Sequence, residues 1–406
     1  MSGLLICQRT GAPLTGNAVA KVQLVGHERD DTLRSTLGWE SKRYGSISSQ
    51  IAARNPEVQT QHDLRIRPHK VGCVCLPFDL GPYVTVRPDA LAEEGAAIAA
   101  RVLTARKEYG HLELRSGRKA RLVPGDLVIG VLGARAALRG FCGRVPADLR
   151  PGDTLQLLNQ GGVIGQADGQ HAGLGSPIDL EILGTPVRDG RALRLADYAL
   201  PARPQLPASL PPVLMIVGTC MHAGKTTAAA VITRHLRGRG LVVHAGKVTG
   251  VASIGDLLMF ADNGANKTLS FLDCGLPSTC YRDDIPRVAT TLLSHLADES
   301  PDLIVLEMGD GLLGEYGVES VLEDQALSAA ISGVVLAAND TVGAIAAAQR
   351  LAAVGLQVQA VVGPATDSAV GATALARVGL ASGNVLLEAE RVCALATAGL
   401  ISEDSR

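Results

Sequence analysis

Val213-Leu-Met-Ile-Val217 runs directly into Gly218-Thr-Cys-Met-His-Ala-Gly-Lys-Thr-Thr227. An apolar strand, a glycine loop and Gly-Lys-Thr, in that order, build a phosphate cradle. The glycines let the backbone curl until successive N–H groups point inward at phosphate oxygens. Lys225 would reach the β- and γ-phosphates, and the Thr226 hydroxyl would complete a Mg²⁺ shell. A helix opening at Gly224 would turn its positive end on the same anion. Gly218, Thr219, His222, Ala223, Gly224, Lys225, Thr226 and Thr227 are therefore the candidate nucleotide-binding residues, and Lys225 is also a candidate catalytic residue. Five residues separate the two glycines, where the common P-loop has four.

Downstream, short apolar runs at 213–217, 241–245, 268–272, 302–307, 333–338 and 357–362 alternate with helical stretches near 224–238, 284–298, 319–331, 341–353 and 367–378. This alternation predicts a parallel sheet with helices on both faces. The continuous apolar runs suit strands covered on both sides. Upstream, residues 200–212 hold five prolines in thirteen positions and read as a stiff, extended linker. The predicted organisation is a β-rich N-terminal domain over 1–199, a linker over 200–212 and a P-loop domain over 213–406.

The first 200 residues carry different signals. A helix is expected at 88–107, opening with Pro88-Asp89. Pro124-Gly-Asp126 and Pro151-Gly-Asp153 each precede an apolar run, a turn-then-strand signal that suggests a β-meander or small barrel. Cys73-Val-Cys75 reads as a strand with both thiols on one core face. Arg34, Lys42 and Arg43 with Trp39 and Tyr44 read as a solvated or partner-facing surface. The expected fold class is α/β: a doubly wound, mostly parallel P-loop sheet, plus a β-rich α+β N-terminal domain.

Composition narrows the function classes. The formal charge of −2 over 406 residues gives no global attraction to nucleic acid or to an anionic membrane surface. No stretch of about 18 uncharged apolar residues appears, and the N-terminus lacks the apolar core of a signal peptide. Eight cysteines scattered through the chain suit a reducing, cytoplasmic setting. Neither a nucleic-acid nor a membrane partner is expected.

A cradle alone names no reaction, so the surrounding strand ends matter. Ligands of open α/β sheets bind outside the carboxyl ends of the strands. Ala245-Gly-Lys-Val-Thr-Gly250 ends the second predicted strand there, which makes Lys247 a second catalytic candidate beside Thr249. The fourth strand runs into Glu307-Met-Gly-Asp-Gly311, where an acid at a strand tip is the usual second Mg²⁺ position. Glu307 is the first candidate and Asp310 the second; Gly314 and Glu315 would line the substrate side. Asp256, nearer the strand end than Asp262, is a further metal candidate beside Thr226 and Glu307. Cys220, His222, Cys274 and Cys280 match no standard zinc spacing and read as loop thiols or small buried residues.

These residues resemble dethiobiotin synthetases over about 190 residues, 210–400. The five-residue gap is similar to that family's Gly-Thr-Asp-Thr-x-Val-Gly-Lys-Thr loop. Gly246–Gly250 resembles its Lys-Pro-Val-x-Thr/Ser-Gly segment, and Leu306–Gly311 its Glu-Gly-Ala-Gly-Gly segment. The resemblance implies Lys225 on the phosphates, Thr226 and Glu307 on Mg²⁺, and Lys247 near the γ-phosphate and the activated oxygen. It implies ATP as the nucleotide, a small-molecule carboxylate or amine as substrate, and a homodimer in the manner of its relatives. The family's Asp is Cys220 here, its Pro after the second lysine is absent, and its adenine-recognising Asn is replaced by Gly363-Pro-Ala-Thr-Asp367. No Asn-Lys-x-Asp guanine motif is present, since Asn266-Lys-Thr-Leu269 lacks the acid. The expected function is a Mg-ATP-dependent ligase or kinase that activates a carboxylate by phosphoryl transfer. The alternative is a nucleotide-switched ATPase or GTPase that loads a partner protein or metal.

Overall fold

The computed structural model describes residues 63–106 and 108–401, which belong to one compact unit. The Arg34, Trp39, Lys42, Arg43 and Tyr44 cluster lies outside these residues.

Five strands close a small barrel: β1 (Ala97–Val102), β2 (Leu127–Leu132), β3 (Thr154–Leu157), β4 (Val163–Gln170) and β5 (Ile178–Arg188). β1 pairs with β2, β2 with β4, β4 with β3, β3 with β5, and β5 returns to β1. Every pairing is antiparallel except the parallel β2–β4 contact. Closure removes the free edges that an open sheet would expose. Both Pro-Gly-Asp turns enter barrel strands by one device. Gly125 and Gly152 take φ +91° and +94°, and the following Asp accepts a backbone N–H three residues back.

The helix expected over 88–107 is a correction: the segment carries strand β1. Alanine favours helix, but Ala96–Ala100 are buried between β2 and β5, and pairing on both edges overrides local propensity. The strand expected around Cys73-Val-Cys75 is a 3-10 turn over Cys73–Phe78 containing Pro77. Both thiols are nonetheless core residues.

The C-terminal half is a six-stranded parallel sheet: β6 (Val213–Gly218), β7 (Val243–Lys247), β8 (Lys267–Ser270), β9 (Leu303–Glu307), β10 (Gly333–Ala337) and β11 (Val358–Val362). The order across the sheet is β8-β7-β9-β6-β10-β11. Eight helices follow in chain order: α1 (Lys225–Gly238), α2 (Gly255–Asp262), α3 (Ile285–Leu296), α4 (Val318–Glu323), α5 (Gln325–Ala330), α6 (Thr341–Ala353), α7 (Ala369–Arg377) and α8 (Ala389–Ala396). The alternation along β6 explains the double winding. Val213, Met215 and Val217 pack into a core with α3 to α7, whereas Leu214 and Ile216 pack into a second core with α1, α2 and α8. The helix expected over 319–331 breaks at Asp324, whose carboxylate accepts the N–H groups of Ala326 and Leu327 and caps α5.

The proline-rich stretch before β6 lies along α3. His295 Nε2 meets the Pro201 carbonyl at 2.9 Å, Thr291 Oγ1 donates to the Arg203 carbonyl at 3.3 Å, and Ser294 Oγ to that of Gln205 at 3.1 Å. Arg203 adds a two-pronged ion pair to Asp298 at 2.7 and 3.1 Å. Among the described residues, no helix is long and apolar enough to cross a membrane.

Candidate functional site

The loop after β6 takes the shape its sequence announces. The Thr219 N–H is tied to the Ala337 carbonyl at 3.0 Å, His222 sits at φ +62° and Gly224 at φ +97°, and α1 begins at Lys225. Ala223 is fully buried under the loop, while His222, Gly224, Lys225, Thr226 and Thr227 line a cavity of about 790 Å³. Gly218 ends the strand, its carbonyl accepting the Leu312 N–H at 3.0 Å.

Lys225 is almost fully buried. Its ammonium donates to the carbonyl oxygens of Cys220, at 2.9 Å, and Asp310. Burial holds this lysine below its ordinary range; Glu307 works the other way, and the neighbouring Lys247 adds to the depression. An ammonium with its hydration removed gains most when a multiply charged anion arrives.

Sheet register places the rest. Lys247 and Ile216 are both paired with Glu307, so the ends of β6, β7 and β9 bring these positions side by side. Thr226 Oγ1 donates to Glu307 Oε1 at 3.1 Å and lies 3.3 Å from Asp256 Oδ1. The Lys247 ammonium binds Asp256 Oδ2 directly and stands 3.8 Å from Glu307 Oε1. Burial alone would lower Lys247, but the charges of Asp256 and then Glu307 outweigh it and hold the ammonium firmly protonated. Burial pushes Glu307 above the usual carboxylate range. The same burial acts on Asp256, yet Lys247 beside it keeps that carboxyl low. Thr226, Asp256, Glu307, Lys225 and Lys247 thus converge on one point. Thr249 is buried nearby, with Oγ1 on the Gly309 carbonyl at 3.1 Å.

Glu307 Oε2 has no hydrogen-bond partner although the residue is 1% exposed. A buried carboxylate oxygen left open beside a hydroxyl and a second carboxylate is a hard, all-oxygen donor set of the kind Mg²⁺ takes alongside phosphates and water. Among the described residues, no group of three or more His, Cys, Asp and Glu is arranged to hold a metal by itself. The Cys220 thiol instead accepts from Asn339 Nδ2 at 2.8 Å, and burial raises the thiols of Cys274 and Cys280 to about 12.

The segment after Glu307 threads between two loops because it is made of glycine. A Cβ on Gly309 would stand 2.0 Å from the Thr249 carbonyl oxygen, and one on Gly311 2.6 Å from that of Thr219. Asp310 between them takes φ +64°, and neither of its carboxylate oxygens has a partner. Burial raises its pKa against the pull of Lys225.

Sequence reading missed the contribution of the N-terminal half, including a two-stranded hairpin, His111–Glu113 with Lys119–Arg121, that is separate from the barrel strands. Glu113, 3% exposed, accepts Ser253 Oγ at 2.8 Å, the Ile254 N–H at 3.2 Å and the Gly255 N–H at 3.0 Å. It caps the helix that carries Asp256, acting as the N-cap acid that the chain next to α2 does not supply. The Arg139 N–H meets Met221 Sδ at 3.2 Å, and the Ala136 N–H donates to the Tyr316 hydroxyl at 3.2 Å. Tyr109, Arg135, Asn159 and Gln160 also line the cavity. No local motif marks these residues, because each reaches its partner across a large gap in sequence. Gly314 lies against the Asp310 carboxylate, and the Glu315 carbonyl accepts the Tyr281 N–H at 2.9 Å. Asn266 and Lys267 sit at the start of β8, at the opposite end of the sheet from the cradle, with Lys267 Nζ on the His295 carbonyl at 2.8 Å.

No protein-family model matches the chain, and no curated protein matches it. Solved structures with a similar fold include the signal recognition particle 54 kDa protein from Aeropyrum pernix K1 in complex with GDP, at 20% identity over 45% of this chain and 43% of that one, TM-score 0.32. Chloroplast FtsY from Physcomitrella patens aligns at 19% identity over 46% and 62%, TM-score 0.32. The kinase domain of the Escherichia coli tyrosine kinase ETK aligns at 13% identity over 38% and 68%, TM-score 0.28. The chain thus spans 43% and 62% of the first two. Likeness at this level lends no weight to any one activity; the P-loop assignment rests on the strand, loop, helix and strand-tip acid described above.

Proposed function

We propose that the chain is a Mg²⁺-dependent P-loop nucleoside triphosphatase whose γ-phosphoryl group is delivered into the cavity beneath the barrel. The observation that carries this reading is the convergence of Lys225, Lys247, Thr226, Asp256 and Glu307 at the strand ends. In that reading Lys225 and the loop amides hold the phosphates. Thr226 with Glu307 and Asp256 would hold Mg²⁺, which neutralises charge on the phosphate oxygens. Phosphoryl transfer needs positioning and charge neutralisation more than covalent machinery. Lys247, released from Asp256, could turn its ammonium on the transferring group. An acceptor oxygen forms the new bond to the γ-phosphorus, the bond to the bridging oxygen breaks, and the nucleoside diphosphate keeps that electron pair.

The cavity of about 790 Å³ beside the cradle supports a small-molecule carboxylate as acceptor, with ATP as donor, in the manner of the dethiobiotin synthetase-like loop. A second reading takes water as the acceptor and makes the protein a nucleotide switch. What favours it is the Met308–Gly311 segment, which touches the cradle at Thr219 on one side and Thr249 on the other. A γ-phosphate that shifted this segment would move contacts that lead through Tyr316 to the barrel.

Phosphate release from Mg-ATP and Mg-GTP, measured alone and with a panel of small carboxylic acids and amines, tests both. Turnover that rises with an acid supports the first reading. Slow turnover indifferent to every small molecule supports the switch. Absence of Mg²⁺-dependent binding of either nucleotide overturns both.

A further inference from the structure

Arg135 is 3% exposed and lines the same cavity as the cradle. Buried arginines ordinarily pair with a carboxylate. Among the described residues, none lies within 4.0 Å of this one. Its Nη1 donates to the Leu158 carbonyl, its Nε has no partner, and its guanidinium stands 5.4 Å from the Tyr109 ring centroid. Asp310 lines the same cavity and feels the charges of both Lys225 and Arg135. The cavity wall therefore carries a buried arginine with no carboxylate partner, supplied by the short strand Arg135–Ala136 of the N-terminal half.

Resting on the phosphoryl-transfer reading above, we propose that Arg135 is the anchor for a carboxylate on the small-molecule acceptor. Three observations favour the acceptor over the triphosphate as its ligand. The phosphates already have Lys225, the loop amides and the α1 N-terminus. Arg135 comes from the N-terminal half, on a different element from the cradle. The volume of about 790 Å³ suits a nucleotide tail and a second small molecule together. A planar guanidinium suits a carboxylate through two parallel N–H bonds, whereas the Lys225 ammonium is a point charge suited to a phosphate oxygen. The unpartnered carboxylate of Asp310 beside this anchor would repel a second anionic group and favour an acceptor with a hydroxyl or ammonium there.

The test is calorimetric titration of the full chain, without nucleotide, with succinate, glutarate and glutamate, and with succinamide as the uncharged control. At least one acid should bind while succinamide does not. Arg135→Gln should weaken that acid at least about tenfold, the loss expected for a charge-assisted pair. Binding of a non-hydrolysable Mg-ATP analogue is followed in parallel. Loss of analogue binding in Arg135→Gln with acid binding retained would assign the arginine to the triphosphate and overturn the proposal. So would acid binding that is equal in the two proteins, or absent from the parent protein. Should Arg135→Gln fail to fold, Arg135→Lys carries the same comparison, because it keeps the charge and loses the planar fork. Since the acid titration contains no nucleotide, a failure of the phosphoryl-transfer reading appears separately, as loss of analogue binding in the parent protein.

Discussion

Removing the Glu113 carboxylate should damage a site on another element. Glu113→Ala deletes the acceptor for Ser253 Oγ, the Ile254 and Gly255 N–H groups, and the Cys73 thiol at 3.3 Å. Two backbone donors at the start of α2 then lose their partner, at about 1–3 kcal/mol each where water cannot reach. Ile254 and Gly255 are only half-buried and Glu113 borders the cavity, so water recovers part of that loss. A net destabilisation of about 2 kcal/mol follows, the upper end of the range for a lost N-cap. Urea unfolding of parent and variant measures it. Gly255 immediately precedes Asp256, so the frayed helix start should also loosen the carboxylate proposed to hold Mg²⁺. Loss of an outer support of this kind lowers metal affinity by about 10- to 100-fold, read as a rise in the Mg²⁺ concentration needed for half-maximal nucleotide binding. Glu113→Gln, which keeps one acceptor oxygen, should fall between. A variant that unfolds within about 0.5 kcal/mol of the parent and shows an unchanged Mg²⁺ midpoint would refute the idea that Glu113 organises α2.

Lys225→Ala should abolish Mg-nucleotide binding while leaving the circular dichroism spectrum intact; a variant that binds Mg-ATP as the parent does would remove the cradle from the argument. Lys247→Ala should keep nucleotide binding within a few-fold and cut single-turnover phosphate release by about 100-fold, the scale of one lost transition-state donor; unchanged turnover would exclude it from the chemistry. Asp126 is held below the ordinary carboxylate range: burial opposes its charge, but the Lys70 ammonium and the Val123 N–H outweigh burial. A carboxyl depressed on folding stabilises above its unfolded pKa, so its contribution should be complete above about pH 5 and fade as pH falls through and below about 4. Asp126→Asn should flatten the acid limb of a stability–pH curve, and a limb of undiminished slope would show that the ion pair contributes nothing.

The sequence disclosed the parts whose cause is local. The run into Gly218-Thr-Cys-Met-His-Ala-Gly-Lys-Thr could be read as strand, loop and helix because glycine placement and apolar periodicity act within a few residues. Lys247, Glu307 and Asp256 were legible because strand tips in a parallel sheet share one end of it. Glu113 and Arg135 were not, since nothing in Leu112-Glu-Leu or Ala134-Arg-Ala differs from ordinary surface text. Their roles come from how the barrel closes over the sheet. β1 was misread for a related reason: Ala97-Ile-Ala-Ala is a helix by propensity and a strand only when two neighbours claim its edges. The break at Asp324 was hidden by helix-forming residues on both sides, although the Asx cap that causes it is a local device.

The way residues 201–205 lie along α3 decides where this chain can be cut. Three of their carbonyl oxygens accept hydrogen bonds from His295, Thr291 and Ser294, and Arg203 is clamped on Asp298. A fragment started at Val213 would strip that edging away and leave three polar side chains and an acid facing water without their mates. A fragment meant to isolate the nucleotide-binding half should therefore begin ahead of Pro201, with the prolines carried along as part of the helix's outer coat rather than discarded as a spacer.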